Sequence, residues 1–219
     1  MKILFDYKIF FQQNYGGPAR YFAELFESLN EIENNTFILS PIYINEFLKN
    51  SKFKPNIIGR KIYPKKFFGK LYRFYNQKIS KFTFQKLNPD ILHTTYYDEY
   101  LISNQKPIVI TVHDLIHEIY YKDFGFDKDF RPKKKIIERA DQVICVSNAT
   151  KQDLLKYYNI NEKKISVIYH GKQKTINNKE CEFKIIKPYF LYLGSRKRYK
   201  NFRILLEAFT LEKNIFKDF

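Results

Sequence analysis

Two short segments carry residues that could bind an anion or line a ligand crevice, and the first is a glycine pair. Gly16-Gly17 stands directly before Pro18. Glycine lets the backbone approach an anion closely, and the amides and positive end of a following helix then point at it. This pattern predicts an anion site, with a plain tight turn as the alternative. Arg20 falls on the first turn of that helix, where it either contacts the same anion or is solvated.

The second segment is a histidine at the end of an apolar run. His113 follows Ile108 to Val112, and in an open α/β sheet the end of a strand faces the ligand crevice. Asp114 beside it either orients it or caps the next element. A lone histidine in this position is also often structural. His113, His117 and Glu118 have the spacing of metal ligands on a helix. However, His113 lies at the end of a strand and no further ligand residues accompany the three, so no metal site is predicted.

Apolar runs that end in a polar residue alternate with helical patterns along most of the chain. Strands are predicted at residues 2–6, 36–40, 90–93, 107–112, 142–146 and 164–169. Helices are predicted from Pro18, along a long pattern that ends before Pro89, after Pro132, and after Ser147 as its N-cap. This alternation predicts a parallel, doubly wound α/β sheet with its ligand site at the carboxyl ends of the strands.

A polar stretch interrupts this pattern near the end of the chain. Residues 172–187 are predicted to be a linker after a first domain of residues 1–171, because apolar periodicity stops there. Residues 188–219 predict a strand over 189–194, a loop and a helix over 200–211, the opening of a second Rossmann-like domain. Since 32 residues are too few to bury a core of their own, the second domain is expected to be incomplete and the chain truncated.

Five local patterns occur in an order that resembles family 4 of the retaining glycosyltransferases. They are GGPARY at 16–21, TVHD at 111–114, RADQVICVS at 139–147, KISVIYHG at 164–171 and LGSRKRYKN at 193–201. The resemblance implies a GT-B fold, in which two Rossmann-like domains face each other and the sugar nucleotide lies between them. The first domain would then be the acceptor side, and the second would hold most of the donor.

The resemblance also implies roles for individual residues. The family's counterpart of His113 contacts the donor sugar near the reacting carbon, so His113 and Asp114 are expected to be catalytic. Gly16, Gly17 and Arg20 are expected to contact donor phosphate. Retaining transfer in this family is thought to need no protein nucleophile, so positioning and leaving-group stabilisation do most of the work. The nucleotide-sugar enters as substrate, and no cofactor or metal is expected.

The loop after Gly194 resembles the family's diphosphate loop, in which fixed cations stabilise the departing nucleoside diphosphate. Arg196 and Lys200 are the matching cations. Ser195 stands where many relatives have the arginine, so Lys200 matches more directly than Arg196, and Arg198 is a further candidate. A solvated basic loop is the alternative. Nothing after Lys200 matches the family's paired glutamates, which bind donor sugar and ribose, so this chain is expected to be inactive alone.

The net charge of +16 is concentrated in one segment. No acidic residue lies between Glu46 and Asp90, and the cations there are Lys49, Lys52, Lys54, Arg60, Lys61, Lys65, Lys66, Lys70, Arg73, Lys78, Lys81 and Lys86. Around residues 66–82 the pattern predicts an amphipathic basic helix, with its cationic face at Lys66, Lys70, Arg73 and Lys81. Such a helix suits an anionic cytoplasmic leaflet and a lipid-linked acceptor. A core-packed helix with a solvated lysine face is the alternative.

These expectations lead to one main function and one rival. The main hypothesis is a fragment of a transferase that moves a sugar from a nucleotide-sugar to a lipid-linked or saccharide acceptor in cell-envelope polysaccharide or lipopolysaccharide synthesis. The rival is a noncatalytic module that binds a membrane or a partner supplying the other half. Nucleic acid is not an expected partner, because no helix-turn-helix, RNP or zinc signature accompanies the charge. We expect a cytoplasmic protein that can bind peripherally to the inner face of the plasma membrane. The sequence has only two cysteines, which indicates a reducing compartment, and no visible signal sequence.

Overall fold

The computed structural model describes residues 1–63, 68–97, 105–124, 130–171, 189–196 and 198–211. The chain divides into two compact units. The first comprises Met1–Ile119 and Asp127–His170, and the second comprises Tyr120–Phe126 and Gly171–Phe219. The predicted linker, residues 172–187, lies outside the described residues. The predicted domain boundaries therefore stay a prediction.

The first unit is built on a parallel sheet. Its strands are β1 (Ile3–Phe5), β2 (Thr36–Tyr43), β3 (Ile57–Lys61), β4 (Ile91–Thr94), β5 (Ile108–Val112), β6 (Gln142–Cys145) and β7 (Ile165–Val167). They run in the order β3-β2-β1-β4-β5-β6-β7, and every neighbouring pair is parallel. The chain moves outward in one direction from β1 and then in the other from β4. The predicted doubly wound α/β fold is confirmed.

Helices cover both faces of the sheet in the first unit. They are α1 (Lys8–Gln12), α2 (Gly17–Glu33), α3 (Glu46–Lys49), α4 (Gly69–Leu87), α5 (Ile116–Ile119), α7 (Arg131–Arg139) and α8 (Asn148–Tyr157), while α6 (Tyr121–Phe124) belongs to the second unit. One core cluster joins the sheet to α1, α2 and α3, and another joins it to α4, α7 and α8. Ser147 caps α8 as predicted, since its side chain accepts a hydrogen bond from Thr150 N.

The β2–β3 edge contains an irregularity that shapes the surface beside it. Between the pairs Leu39 with Ile58 and Ile42 with Arg60, β2 has one more residue than β3. Gly59 fills the short side with a φ of +145°, and a Cβ there would lie 1.7 Å from the Ser40 carbonyl oxygen. Only glycine accommodates this contact and this backbone conformation. The bulge therefore depends on Gly59.

Helix α4 packs on this bulge through polar residues. Asn76 Oδ1 accepts a hydrogen bond from Ile42 N at 2.7 Å, and Asn76 Nδ2 donates to Ile42 O at 3.0 Å. The buried residues of α4 are Asn76, Ser80 and Phe84. The apolar stripe seen in the sequence faces outward instead: Phe68, Leu71, Tyr75, Ile79 and Phe82 are exposed. The alternative in which this stripe packs on the core is wrong, because α4 turns Asn76, Ser80 and Phe84 towards the sheet and Asn76 bonds the bulged strand.

The second unit contains α9 (Phe202–Leu211), which follows a 3-10 turn at Arg198–Lys200. The helix agrees with the prediction for this region. The predicted strand over residues 189–194 is wrong, because these residues adopt no strand conformation and Leu193 is 91% exposed. A strand exists only beside a hydrogen-bonded neighbour, and the described part of this unit contains none. Among the described helices, none is long and apolar enough to cross a membrane.

Candidate active site

The carboxyl ends of the central strands meet where the strand order reverses, between β1 and β4. In open α/β sheets this is the position of the ligand crevice. Asp6, directly after β1, is buried, and its Oδ1 accepts hydrogen bonds from Thr95 Oγ1 and from Lys8 N at 3.0 Å. Thr95 follows β4 and also accepts a hydrogen bond from Ile9 N at 3.1 Å. These bonds fix the two strand ends against each other beside the predicted site.

His113 leaves the end of β5 into a cluster of aromatic rings. Its ring centroid lies 5.2 Å from that of Tyr21 and 6.1 Å from that of Phe22, both edge-on. His170, three residues beyond β7, stacks on it at 5.8 Å with an interplanar angle of 19°. His113 Nε2 is buried, and no described residue offers it a hydrogen-bond partner. A buried polar atom without a partner is uncommon and points to a site whose ligand supplies the bond.

Burial controls the protonation of this cluster. The pKa of His113 is lowered to about 4, chiefly by burial and also by the nearby His170, while Asp114 opposes the change. Burial also lowers the pKa of His93 to about 3, with His113 as a secondary cause. Both imidazoles are therefore neutral at physiological pH. A neutral imidazole presents one donor and one acceptor nitrogen, which suits a sugar hydroxyl better than a phosphate.

A chain of polar groups connects β4, β5 and α2 beneath His113. His93 Nε2 lies 3.0 Å from Thr111 Oγ1, and Tyr21 OH lies 3.4 Å from the same oxygen. Burial raises the pKa of Tyr21, so its hydroxyl remains protonated. The sequence prediction did not include Tyr21, His93 or His170. Their signals were present, because His93 ends an apolar run as His113 does, and Tyr21 and His170 lie within the recognised motifs.

A buried cluster of Glu118, Lys133 and Tyr158 stabilises Asp114 and the segment that follows it. Asp114 is exposed, and its Oδ1 accepts a hydrogen bond from Ile116 N at 3.2 Å, so it caps α5. Lys133 Nζ lies 2.7 Å from Glu118 Oε1 and donates to the Asp114 carbonyl oxygen at 3.0 Å. Tyr158 OH donates to Glu118 Oε1. The cluster fixes the backbone that carries His113 and Asp114.

The predicted anion site lies at the start of α2. Gly16 is the N-cap and Gly17 the first helical residue. The Ala19 amide donates to Gln13 Oε1 at 3.4 Å, and a Cβ on Gly16 would lie 2.1 Å from that oxygen. Gly16 thus makes room for Gln13, a structural explanation that stands beside the anion site. Arg20 Nε lies 2.7 Å from Glu24 Oε1.

The remaining predicted residues lie elsewhere. In the second unit, Arg196 and Lys200 are both exposed, with the Arg196 guanidinium 5.1 Å from the Phe202 ring and Lys200 Nζ 5.1 Å from the Tyr199 ring. Lys70, Arg73 and Lys81 are exposed on α4, and Lys66 lies outside the described residues. Over the described ranges, no group of three or more His, Cys, Asp or Glu side chains is arranged to hold a metal ion.

Comparison with known proteins gives a consistent result. The sequence model of Glycosyltransferase Family 4 matches residues 15–172. The O-antigen chain mannosyltransferase RfbU of Salmonella typhimurium is 35% identical over 135 residues, which is 60% of this chain and 35% of that protein. Two solved structures share the fold at 16% identity. Anabaena HepE in complex with UDP has a TM-score of 0.53, over 78% of this chain and 44% of its own. The lipopolysaccharide outer core galactosyltransferase WaaB has a TM-score of 0.51, over 80% and 48%.

The extent of these matches decides what they establish. The chain spans less than half the length of each of these relatives. The family match, in contrast, covers well over half of the chain and includes four of the five motifs that carry the resemblance, beginning one residue before the glycine pair and ending one residue after Gly171. The parallel sheet and the placement of His113 at a strand end agree with it. The chain therefore belongs to glycosyltransferase family 4.

Proposed function

We propose that the intact protein transfers a sugar from a nucleotide-sugar, with retention of configuration, to a saccharide or lipid-linked acceptor in lipopolysaccharide or related cell-envelope polysaccharide synthesis. Family membership supports a glycosyl transfer reaction. The names of the relatives support the class of substrate: one is an O-antigen chain mannosyltransferase, one a lipopolysaccharide outer core galactosyltransferase, and one is solved with UDP and glucose.

The observation that carries the proposal is the unpartnered, buried Nε2 of His113 at the end of β5. We propose that this nitrogen exchanges a hydrogen bond with a hydroxyl of the donor sugar and so holds the sugar in the reactive orientation. The nitrogen is covered in the absence of ligand. We propose that rotation of His170, which is exposed and stacks on the same ring, opens this nitrogen to the sugar.

The departing nucleoside diphosphate needs positive charge. We propose that Lys200 and Arg196 supply it, and that Gly16, Gly17 and Arg20 contact phosphate at the start of α2. Exposure of both second-unit cations supports their availability to an anion. Asp114 is proposed to act on His113 electrostatically, since its charge opposes the lowering of the His113 pKa. We also propose that the 219-residue chain alone does not complete transfer, because no residue after Lys200 matches the family's sugar-binding glutamates.

The experiment is a chimera in which the C-terminal half of RfbU follows His170 of this chain, assayed for transfer of mannose from nucleotide-activated mannose to O-antigen chain acceptors. Transfer is expected, and His113→Ala should reduce it by about 10²-fold, the usual effect of removing one polar group that stabilises a transition state. His117→Ala, an exposed histidine on α5, is the matched control. Unchanged transfer in His113→Ala would refute the assignment.

A second candidate function follows from the outer face of α4. Its exposed apolar stripe and its cations Lys70, Arg73 and Lys81 favour peripheral contact with an anionic membrane. If the chain is instead a noncatalytic module that binds a membrane or a partner protein, it would bind the membrane, and the chimera would transfer no sugar. Binding to anionic vesicles that weakens as salt rises would support the contact.

A further inference from the structure

A groove runs along the first unit between α4 and the β2–β3 edge. Its volume is about 830 Å³, within the roughly 300–1,000 Å³ that proteins use for ligands of drug size. Ile42 and Ile58 line it from the sheet, and Leu71, Tyr75 and Ile79 line it from α4. These side chains make its wall mainly apolar.

The groove exists because α4 is held to the sheet by polar groups. Asn76 bonds both backbone groups of Ile42 at the bulge, so the helix needs no apolar contact at this point. The apolar residues beside Asn76 therefore remain in solvent: Leu71 is 58% exposed and Phe74 57% exposed. An exposed apolar surface of this kind usually marks a binding site.

The charge around the groove indicates what occupies it. Arg60 and Lys78 line the groove, and both are exposed. Lys70, Arg73 and Lys81 lie on the same helix, and no acidic residue occurs between Glu46 and Asp90. An occupant must therefore combine an apolar part with a negative charge. A second copy of this chain would bring the same cations against each other, which repel.

We infer that the groove takes one acyl chain of an anionic bilayer phospholipid, whose phosphate pairs with Arg60 and Lys78. This rests on, and deepens, the proposed membrane contact of α4. The helix lies along the leaflet, its exposed apolar stripe enters the interface, and its lysines reach the phosphates on either side. Attachment then has an apolar component that salt does not screen.

The test uses the absence of tryptophan from the sequence. Phe74→Trp places a single tryptophan at the groove, and Ile32→Trp places one on α2, at a site that is 77% exposed and distant in the chain. Each full-length variant is mixed with phosphatidylglycerol–phosphatidylcholine vesicles whose acyl chains are brominated. Quenching is expected for Phe74→Trp and not for Ile32→Trp. Vesicle binding without quenching of Phe74→Trp would overturn the inference.

A second pair of variants separates the two components of binding. Arg60→Gln with Lys78→Gln should weaken vesicle binding about 25-fold at low salt, because each cation near the surface contributes roughly fivefold. Ile79→Ser should leave the salt dependence unchanged and reduce the binding that remains at high salt. If Ile79→Ser has no effect and all binding disappears at high salt, contact is electrostatic alone, and the groove is not a lipid site.

Two further outcomes have clear meanings. A lipid-free dimer detected by sedimentation, and lost in Ile79→Ser, would make a second copy the occupant and would overturn the inference. Failure of transfer in the RfbU chimera would remove the proposed enzyme function without affecting the quenching result, since the groove residues lie outside the His113 site.

Discussion

Acid should destabilise the first unit through two buried histidines, and His93 offers the cleaner test. The unfolded chain binds a proton on histidine near pH 6.5, whereas burial lowers the pKa of His93 in the folded state to about 3. A lowered pKa on a base means that the folded state rejects a proton that the unfolded state accepts. Stability from this group is thus complete above about pH 6.5 and decreases as pH falls towards 3.

The magnitude follows from the linkage relation. Between pH 7 and pH 5 the unfolded state gains about 2 kcal/mol from protonating one such histidine, since each pH unit below 6.5 contributes about 1.4 kcal/mol. His113, with its pKa lowered to about 4, contributes a similar amount. We expect the pair to account for roughly 4 kcal/mol of acid sensitivity over this range.

The perturbation is His93→Phe, which keeps the ring contacts with Phe5 and Phe22, at 5.2 and 5.3 Å, and removes the titrating group. Urea unfolding at pH 7 and pH 5 gives the free energy of unfolding of each protein at both values. The difference between the two pH values should be smaller by about 2 kcal/mol in His93→Phe than in the unchanged chain. His117→Phe, at an exposed site, is the control. An undiminished difference in His93→Phe would refute the assignment of a lowered pKa.

Three further predictions concern the frame of the site. Asn76→Ala leaves two buried backbone groups of the β2 bulge without partners and should lower the free energy of unfolding by about 2–5 kcal/mol, against a negligible change for the exposed Gln85→Ala, measured by urea unfolding. Gly59→Ala forces a Cβ into the neighbouring strand and should lower the melting temperature well beyond the few degrees of an ordinary surface change, as calorimetry would show. Lys133→Met leaves the buried carboxylate of Glu118 without its cation and should lower the free energy of unfolding by about 3–5 kcal/mol. The double variant Lys133→Met with Glu118→Leu should recover most of this loss. Equal losses in the single and double variants would contradict the ion-pair explanation.

The central strands could be predicted from the sequence because most of their side chains are buried. β1, β4, β5 and β6 read as apolar runs ending in a polar residue, the pattern of parallel strands covered on both faces. β3 was missed for a physical reason. It lies at the edge of the sheet, and only Ile57 and Ile58 are apolar before Gly59, Arg60 and Lys61. An edge strand has no need of a continuous apolar run.

The orientation of α4 could not be predicted from its periodicity. An apolar stripe normally marks the buried face, yet here the face that carries Asn76 is buried, because Asn76 bonds both backbone groups of Ile42 at the bulge. The periodicity located the apolar stripe but did not indicate whether the stripe faces the sheet or the solvent. The residues 189–194 illustrate the converse, since their apolar run predicts a strand that lacks a paired neighbour in the described chain.

The position of His113 at the end of a strand was predicted from the sequence, but the residues around it were not. His113 was identified because strand position and chemistry coincide at one residue. Its contacts with Tyr21 and His170 join residues far apart in the sequence, and these meet only once the sheet and α2 have assembled. The buried pair of Glu118 and Lys133 was missed because sequence alone does not distinguish a buried charge from a solvated one.

The two hydrogen bonds between the Asn76 side chain and the β2 bulge have an evolutionary consequence. Because the bonds of Asn76 to Ile42 and the packing of Phe84 attach α4 to the sheet, the outward positions of this helix contribute little to holding it there. Substitutions there can accumulate without loss of the scaffold, whereas Asn76 and Gly59 must be inherited together. The exposed surface of α4 can therefore change in charge and hydrophobicity while the bulge and the histidine cluster stay the same.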